Sequence, residues 1–367
     1  MGNNIITNKM RSKDLFVSAL LMLSALGIIL YPGEVSAAVH DSVLRCLNVL
    51  IPSLFAFMAI SSMIVSCGAA ELISLPFRPI SRYIFNMPDK LFTVMLISMF
   101  AGYPVGIKML SEMLERGETD RNTAQRAAVF CYCGGPSFYS SAVGMAVFGD
   151  RRVGTLIFLS VLIPDLILSI IMCRTSELRC SSVISSDRKG SLLISGVNSA
   201  GRSMAAICLT VVFFSSVLAL LRACGAFALL QHICGFSDNT MILISSFIEI
   251  TALLDLKGAS FSLLPFVCAS CSFGGLCIII QLFALKSKEL SLYRFLELRP
   301  AAALMSAIVC RSLQPHLLKG AVQTIYFHRT LYNVNNLGAS FCLILMIFLL
   351  NLKKSLVISE RVCYNIS

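Results

Sequence analysis

Two glycine pairs, Gly134-Gly135 and Gly274-Gly275, interrupt two of the longest charge-free apolar runs of this chain, 22 residues from Ala127 to Phe148 and 28 from Gly258 to Leu285. A run of this length is a membrane span by default. Glycine lets a helix break, and a break in hydrocarbon exposes backbone N–H and C=O groups that lipid cannot satisfy. Such breaks persist only where protein or a water-filled cavity surrounds them. Two of them at corresponding places in two halves indicate a solute site near the bilayer midplane, as in transporters built from inverted repeats. The fold class expected is therefore all-α, a polytopic helical bundle of two inverted-repeat-like halves with broken or re-entrant helices.

Composition agrees, with 57% hydrophobic and 13% charged residues, against about 25% charged in soluble domains. The net charge of +11 does not indicate nucleic acid. Basic residues are scattered through short connections (Arg78, Arg82, Lys90; Arg116, Arg121, Arg126; Lys286, Lys288, Arg294, Arg299), the distribution of inner loops in a polytopic protein. Fifteen cysteines lie mostly within apolar segments, where Cys behaves as a small hydrophobe. Cys131-x-Cys133 and Cys268-x-x-Cys271 each precede a glycine pair. A soft-metal site there is outweighed by small-residue packing, since no histidine accompanies either pair. No metal and no cofactor is expected.

Lys9, Arg11 and Lys13 precede the apolar stretch Leu15–Tyr31, and Val35-Ser36-Ala37 resembles a cleavage site. The stretch is longer than a signal-peptide core, so an uncleaved first span with a cytoplasmic N-terminus is expected. Further apolar segments run over about 46–66, 91–110, 127–148, 153–173, 203–221, 239–256, 260–285, 296–310 and 339–352, some of them re-entrant by their breakers. Met99 to Gly106 places Gly102, Pro104 and Gly106 around Tyr103, which breaks a helix near its centre. Arg174 to Gly190 is the longest polar stretch and divides the chain. The organisation expected is 1–42 as tail, first span and loop, 43–173 as a first half, 174–190 as linker, 191–313 as a second half and 314–367 as a polar segment with a final span. Cys67-Gly68-Ala69 and Cys224-Gly225-Ala226 recur at the ends of long segments in the two halves.

Acids inside apolar segments mark function unless they are paired. Glu249 lies in such a segment, followed by Thr251 and Asp255, and Asp165 lies beside Pro164 in another. Either can be a functional group or the partner of a buried base. Lys108 and Glu112 are four apart and share a helix face. Lys108 is either half of an ordinary ion pair or a counter-charge for an anionic solute. The four histidines are not spaced as metal ligands, and there is no Walker A loop or His-Glu-x-x-His sequence. An enzyme is not expected.

Five segments together carry a resemblance: Leu50–Phe57, Ala101–Lys108, Phe130–Phe138, Glu249-Ile250-Thr251, and Ser272–Leu276 with Gln281 beyond. In this order they resemble the sporulation integral membrane protein family of the YlbJ type, in the nucleoside-recognition (Gate) group, similar to concentrative nucleoside transporters. The likeness covers residues 43 to about 312. It implies two Gate-like halves, a multi-pass protein of the bacterial cell membrane at the outer forespore membrane, and movement of dipicolinate during sporulation. It makes Gly102, Tyr103, Pro104, Gly134, Gly135, Pro136, Glu249, Thr251, Ser272, Gly274, Gly275 and Gln281 site candidates, to which the residues themselves add Gly106 and Lys108. Where the family pattern carries Asn before the first glycine pair, this chain has Tyr132 and Cys133. The partners implied are the lipid bilayer, a small anionic or nucleoside-like solute and a coupling ion, with room for an oligomer. The alternatives are a nucleoside transporter and a non-transporting scaffold for spore-envelope assembly.

Overall fold

A computed structural model describes residues 12–175, 178–181, 191–256 and 259–318. They are helical almost throughout, with no β-strand among the described residues, so the expected all-α bundle is what the chain forms. The segment expected at 339–352 lies outside the described residues.

The chain runs as α1 (Ser12–Leu30), α2 (Pro32–Arg45), α3 (Ile51–Cys67), α4 (Ala70–Ser74), α5 (Asp89–Ala101), α6 (Tyr103–Glu115), α7 (Arg121–Ala127), α8 (Ala146–Phe148), α9 (Arg151–Arg174), α10 (Leu192–Ala223), α11 (Ala226–Cys234), α12 (Asp238–Ser246), α13 (Leu264–Phe273), α14 (Gly275–Leu285) and α15 (Tyr293–Leu317). A widened turn at Cys46–Leu50 joins α2 to α3, so the helix is continuous from Pro32 to Cys67. The boundary expected at residue 42 therefore falls inside a helix. Among the described residues, four stretches are long and apolar enough to cross a membrane: Pro32–Cys67, Arg151–Arg174, Leu192–Ala223 and Phe261–Leu285. Apolar side chains exposed on these stretches, such as Phe57, Ile171, Phe213 and Phe283, face the lipid that burial in a bilayer supplies.

Four apolar segments are broken rather than continuous. The 91–110 segment breaks at Gly102, which holds φ 104° and ψ 166°, a conformation closed to residues with a Cβ. The 127–148 segment ends α7 at Ala127, is non-helical through residues 132–135, and resumes as a wide π-helical stretch over Phe138–Met145. The 239–256 segment leaves α12 at Ser246 and turns into a 3₁₀ stretch at Ile250–Asp255. The 260–285 segment breaks between α13 and α14, where Gly274 and Gly275 have φ of 84° and 82°.

The halves are packed through each other. α10 lies along α2 and α3, and α15 packs against α9 as well as α13. Each recurring Cys-Gly-Ala tripeptide stands where a long helix of this packed pair, α3 or α10, ends. Residues 178–181 of the polar linker are pinned to the turn after α6, where Ser181 N–H donates to the Glu118 carbonyl at 2.8 Å. Lys90, expected in a loop, is buried there instead. Its ammonium donates to the Ser181 carbonyl at 2.9 Å and lies 3.4 Å from Glu118.

Gly106 is held by contact. A Cβ there would meet the Cys131 carbonyl oxygen and stand 2.7 Å from Ser98 Cβ. Gly106→Ala is expected to lower stability by about 1–3 kcal/mol, the range for an added methyl in a filled core, and thermal unfolding in detergent measures it.

Candidate functional site

The breaks meet in pairs. In the first half Gly102 abuts Gly135: a Cβ on Gly135 would lie 3.8 Å from Gly102 Cα and 3.4 Å from the Phe100 carbonyl oxygen. In the second half the start of α14 docks on the end of α12. Leu276 N–H donates to the Phe247 carbonyl at 2.8 Å and Cys277 N–H to the Ile248 carbonyl at 2.9 Å. In this second pair, backbone groups that a break leaves without helical partners are thus satisfied by the neighbouring break. The two N–H groups at the start of α14 are already taken and are not free to receive an anion.

Tyrosines tie the two halves together at this level. Tyr103 O–H donates to the Cys271 carbonyl at 2.6 Å, and Tyr132 O–H donates to the Phe273 carbonyl at 3.0 Å. Both carbonyls belong to the last turn of α13, whose acceptors the break at Gly274 would otherwise leave bare. Tyr139 shares the Tyr103 hydroxyl at 2.7 Å. Tyr132, a departure from the family pattern, has this structural task. A Cβ at Gly274 would collide with the Tyr132 hydroxyl, and one at Gly134 with the Tyr139 hydroxyl.

A cavity opens between the paired breaks, with about 540 Å³ of space between atoms, its open side included. Small-solute sites are mostly apolar with a few placed polar groups, and the lining here has that character. The walls come from both halves: Leu50, Ser53 and Leu54 of α3 and its approach, Gly102, Tyr103 and Pro104, Gly135, Ser137 and Phe138, Ile207 and Val211 of α10, then Glu249, Ile250, Thr251, Ile278 and Gln281. Among the described residues Glu249 is the one acid in this wall, and no Lys or Arg accompanies it.

Glu249 is 1% exposed. It stands just before the 3₁₀ stretch and caps it: its Oε1 accepts from Thr251 N–H at 3.1 Å, and its Oε2 accepts from the Thr251 hydroxyl. Among the described residues no ion pair reaches its carboxyl. Gln281, one turn after Cys277 on α14, presents its amide to the same cavity, with Nε2 3.4 Å from Cys277 Sγ.

Seven of the fourteen sequence candidates line the cavity: Gly102, Tyr103, Pro104, Gly135, Glu249, Thr251 and Gln281. The other seven stand behind the wall. Gly106, Gly134, Gly274 and Gly275 allow close backbone or tyrosine contacts, and Pro136 starts the helical stretch after the non-helical segment. Lys108 does not face the cavity. Its ammonium is buried 3.9 Å from Glu112 Oε1, and Glu112 accepts from Ser62 of α3 at 3.1 Å and Ser199 of α10 at 3.3 Å. The ion-pair reading of Lys108 is the one the geometry supports, at a helix interface rather than in solvent.

Ser272 is engaged elsewhere, 3.3 Å from Arg299 Nη2. Arg299 is no loop residue: it is 2% exposed and bonds Asp165 at 2.5 Å. Its guanidinium lies 4.8 Å from the Tyr132 ring centre and 5.7 Å from that of Phe295. Asp165 is therefore the partner of a buried base. The cysteine pairs are free thiols within the core, and no group of three metal-ligating side chains forms among the described residues. Ser53, Ser137, Ile207 and Val211 complete the lining without standing out in the sequence. Only the two serines carry a chemical signal, and serines in apolar helices are common.

Comparison with known proteins adds one relative. A stretch of 150 residues, 41% of this chain, is 23% identical to the sporulation integral membrane protein YlbJ of Bacillus subtilis. The chain is a distant partial relative of that membrane protein. The match spans 37% of YlbJ's own length. No family model matches the chain, and no solved structure matches it. Apolar helices and this relative together make it an integral, multi-pass membrane protein.

Proposed function

We propose that this chain is a secondary transporter or facilitator for a small solute, working in the membranes of a sporulating cell. The single observation that carries the reading is the cavity walled by both halves at paired helix breaks, with the lone acid Glu249 in its wall. Broken helices around a midplane site are the architecture of alternating access. A buried acid facing a cavity without a cation beside it fits a group that takes up and releases a proton during the cycle. The repeat of two abutting breaks in each half supports the inverted-repeat and Gate-like reading. The name of the Bacillus subtilis relative supports a place in sporulation, and the outer forespore membrane and dipicolinate follow from the family resemblance.

The lining refines the choice of solute. Dipicolinate is an aromatic dianion, and a wall with one acid and no base admits it only when Glu249 is protonated and further protons or a cation travel with it. A nucleoside-like solute is flat, largely apolar and rich in hydrogen-bonding groups. Glu249, Gln281, Ser53 and Ser137 match it without any charge compensation, so the wall itself favours this second solute. Uptake of labelled dipicolinate and labelled uridine into proteoliposomes, with and without an inward proton gradient, decides between them. Saturable uptake of either sustains the transporter. Uptake of neither by folded protein would favour the scaffold alternative.

A further inference from the structure

We propose that the Arg45–Asp255 ion pair is the gate at one end of this cavity, and that Glu249 controls it through Thr251. The proposal deepens the transport reading and rests on it. Thr251 lines the cavity and is bonded from both sides. Toward the cavity its hydroxyl and N–H donate to Glu249. Away from it, Arg45 Nη1 donates to the Thr251 carbonyl at 3.1 Å and reaches its hydroxyl oxygen at 3.5 Å. Arg45 Nη2 donates to Asp255 Oδ1 at 2.7 Å, and Asp255 Oδ2 lies 3.8 Å from Arg222 Nη2.

These residues form an outward series. Glu249 is 1% exposed, the Arg45 and Asp255 side chains are 26% and 33% exposed, and Arg222 is 47% exposed. Arg222 stands in the last turn of α10, so the series ends where that span ends. A solute leaving the cavity past Thr251 meets the Arg45–Asp255 bridge.

The three anchors also belong to different elements. Arg45 closes α2, Arg222 lies in the last turn of α10, and Asp255 closes the 3₁₀ stretch that follows the α12 break. Opening the bridge unties Asp255 from the α2–α10 pair while Ile250 and Leu253 of the stretch stay packed in the core. Partly exposed side chains at the end of an anchored segment can swing apart without moving the segment, which is the small motion a gate needs.

Thr251 supplies the link to the site. While Glu249 is a carboxylate it accepts the Thr251 hydroxyl proton, which leaves the hydroxyl lone pairs turned toward Arg45. A proton on Glu249 Oε2 turns that oxygen into a donor toward the Thr251 hydroxyl, and the hydroxyl lone pair it takes is the one Arg45 was using. Arg45 then loses one of its partners. Protonation of Glu249 thus weakens the latch on the far side of Thr251, a bias on a two-state equilibrium.

The test needs no solute. Ser53→Cys places a reporter thiol in the cavity wall, and its reaction with a charged methanethiosulfonate reagent is followed by mass spectrometry of its peptide. In the detergent-purified protein, Asp255→Asn is expected to raise the initial rate about five- to ten-fold, as loss of a partly exposed ion pair shifts a closed–open balance. An unchanged rate in monodisperse Asp255→Asn protein would overturn the gate. Should that variant fail to fold, Arg45→Lys takes its place, since it keeps the charge and loses the two-pronged grip. Faster labelling there sustains the gate, and an unchanged rate overturns it. Faster labelling in a protein that moves neither dipicolinate nor uridine would keep the gate and remove the transport reading. Uptake with labelling unchanged would do the reverse.

Discussion

Glu249→Gln is expected to reduce proton-driven accumulation of the transported solute by at least about ten-fold while leaving the fold intact. The two halves of that expectation come from the same geometry. A glutamine side-chain oxygen still accepts from Thr251 N–H, the bond now made to Glu249 Oε1 at 3.1 Å, so the cap on the 3₁₀ stretch survives. What disappears is the only acid in the cavity wall, and with it the group that can carry a proton. Glu249→Ala removes the cap as well and is expected to cost about a further 1 kcal/mol in stability. Initial uptake rates in proteoliposomes, beside thermal unfolding of each variant, separate the effects. Accumulation unchanged in the glutamine variant would take Glu249 out of the mechanism.

Much of this architecture is written in single residues whose oddity is local. Gly102 before Tyr103-Pro104, Gly134-Gly135 before Pro136, and Gly274-Gly275 stand out because glycine and proline are costly inside an apolar span, and the chain breaks at all three places. Glu249 stands out because an acid is costly there too, and it lines the cavity. The partners of these groups are a different matter. Nothing near Leu276 or Cys277 in the sequence shows that their N–H groups would be taken by carbonyls of Phe247 and Ile248, about thirty residues earlier. Glycine likewise says that a Cβ is unwelcome without saying whether a solute or a tyrosine occupies the space. At Gly134 and Gly274 it is a tyrosine hydroxyl. Arg299 is hidden by its neighbours: after Lys286, Lys288 and Arg294, and before Pro300, a basic residue reads as part of a loop. Its acid, Asp165, is 134 residues away.

Removing that arginine alone is expected to be the most damaging single change in the protein. The Arg299 and Asp165 side chains are 1% and 0% exposed, so Arg299→Met leaves an uncompensated carboxylate in the core, which costs about 3–5 kcal/mol. Arg299→Lys does not rescue it, because an ammonium cannot lie flat between Tyr132 and Phe295 as the guanidinium does. The paired replacement Asp165→Leu with Arg299→Met is expected to recover most of the loss. The pair is an imperfect one: Asp165 Oδ2 and Arg299 Nε and Nη1 have no hydrogen-bond partner, so much of its desolvation is not offset. What the double variant does not recover is the cation–π contact with Tyr132, worth about 1–2 kcal/mol when desolvated. That contact steadies the ring whose hydroxyl caps α13 at Phe273. Thermal unfolding of the three variants in one detergent reads the order directly. A double variant as unstable as Arg299→Met would mean that Tyr132 and Phe295, rather than Asp165, are what the guanidinium is there to hold.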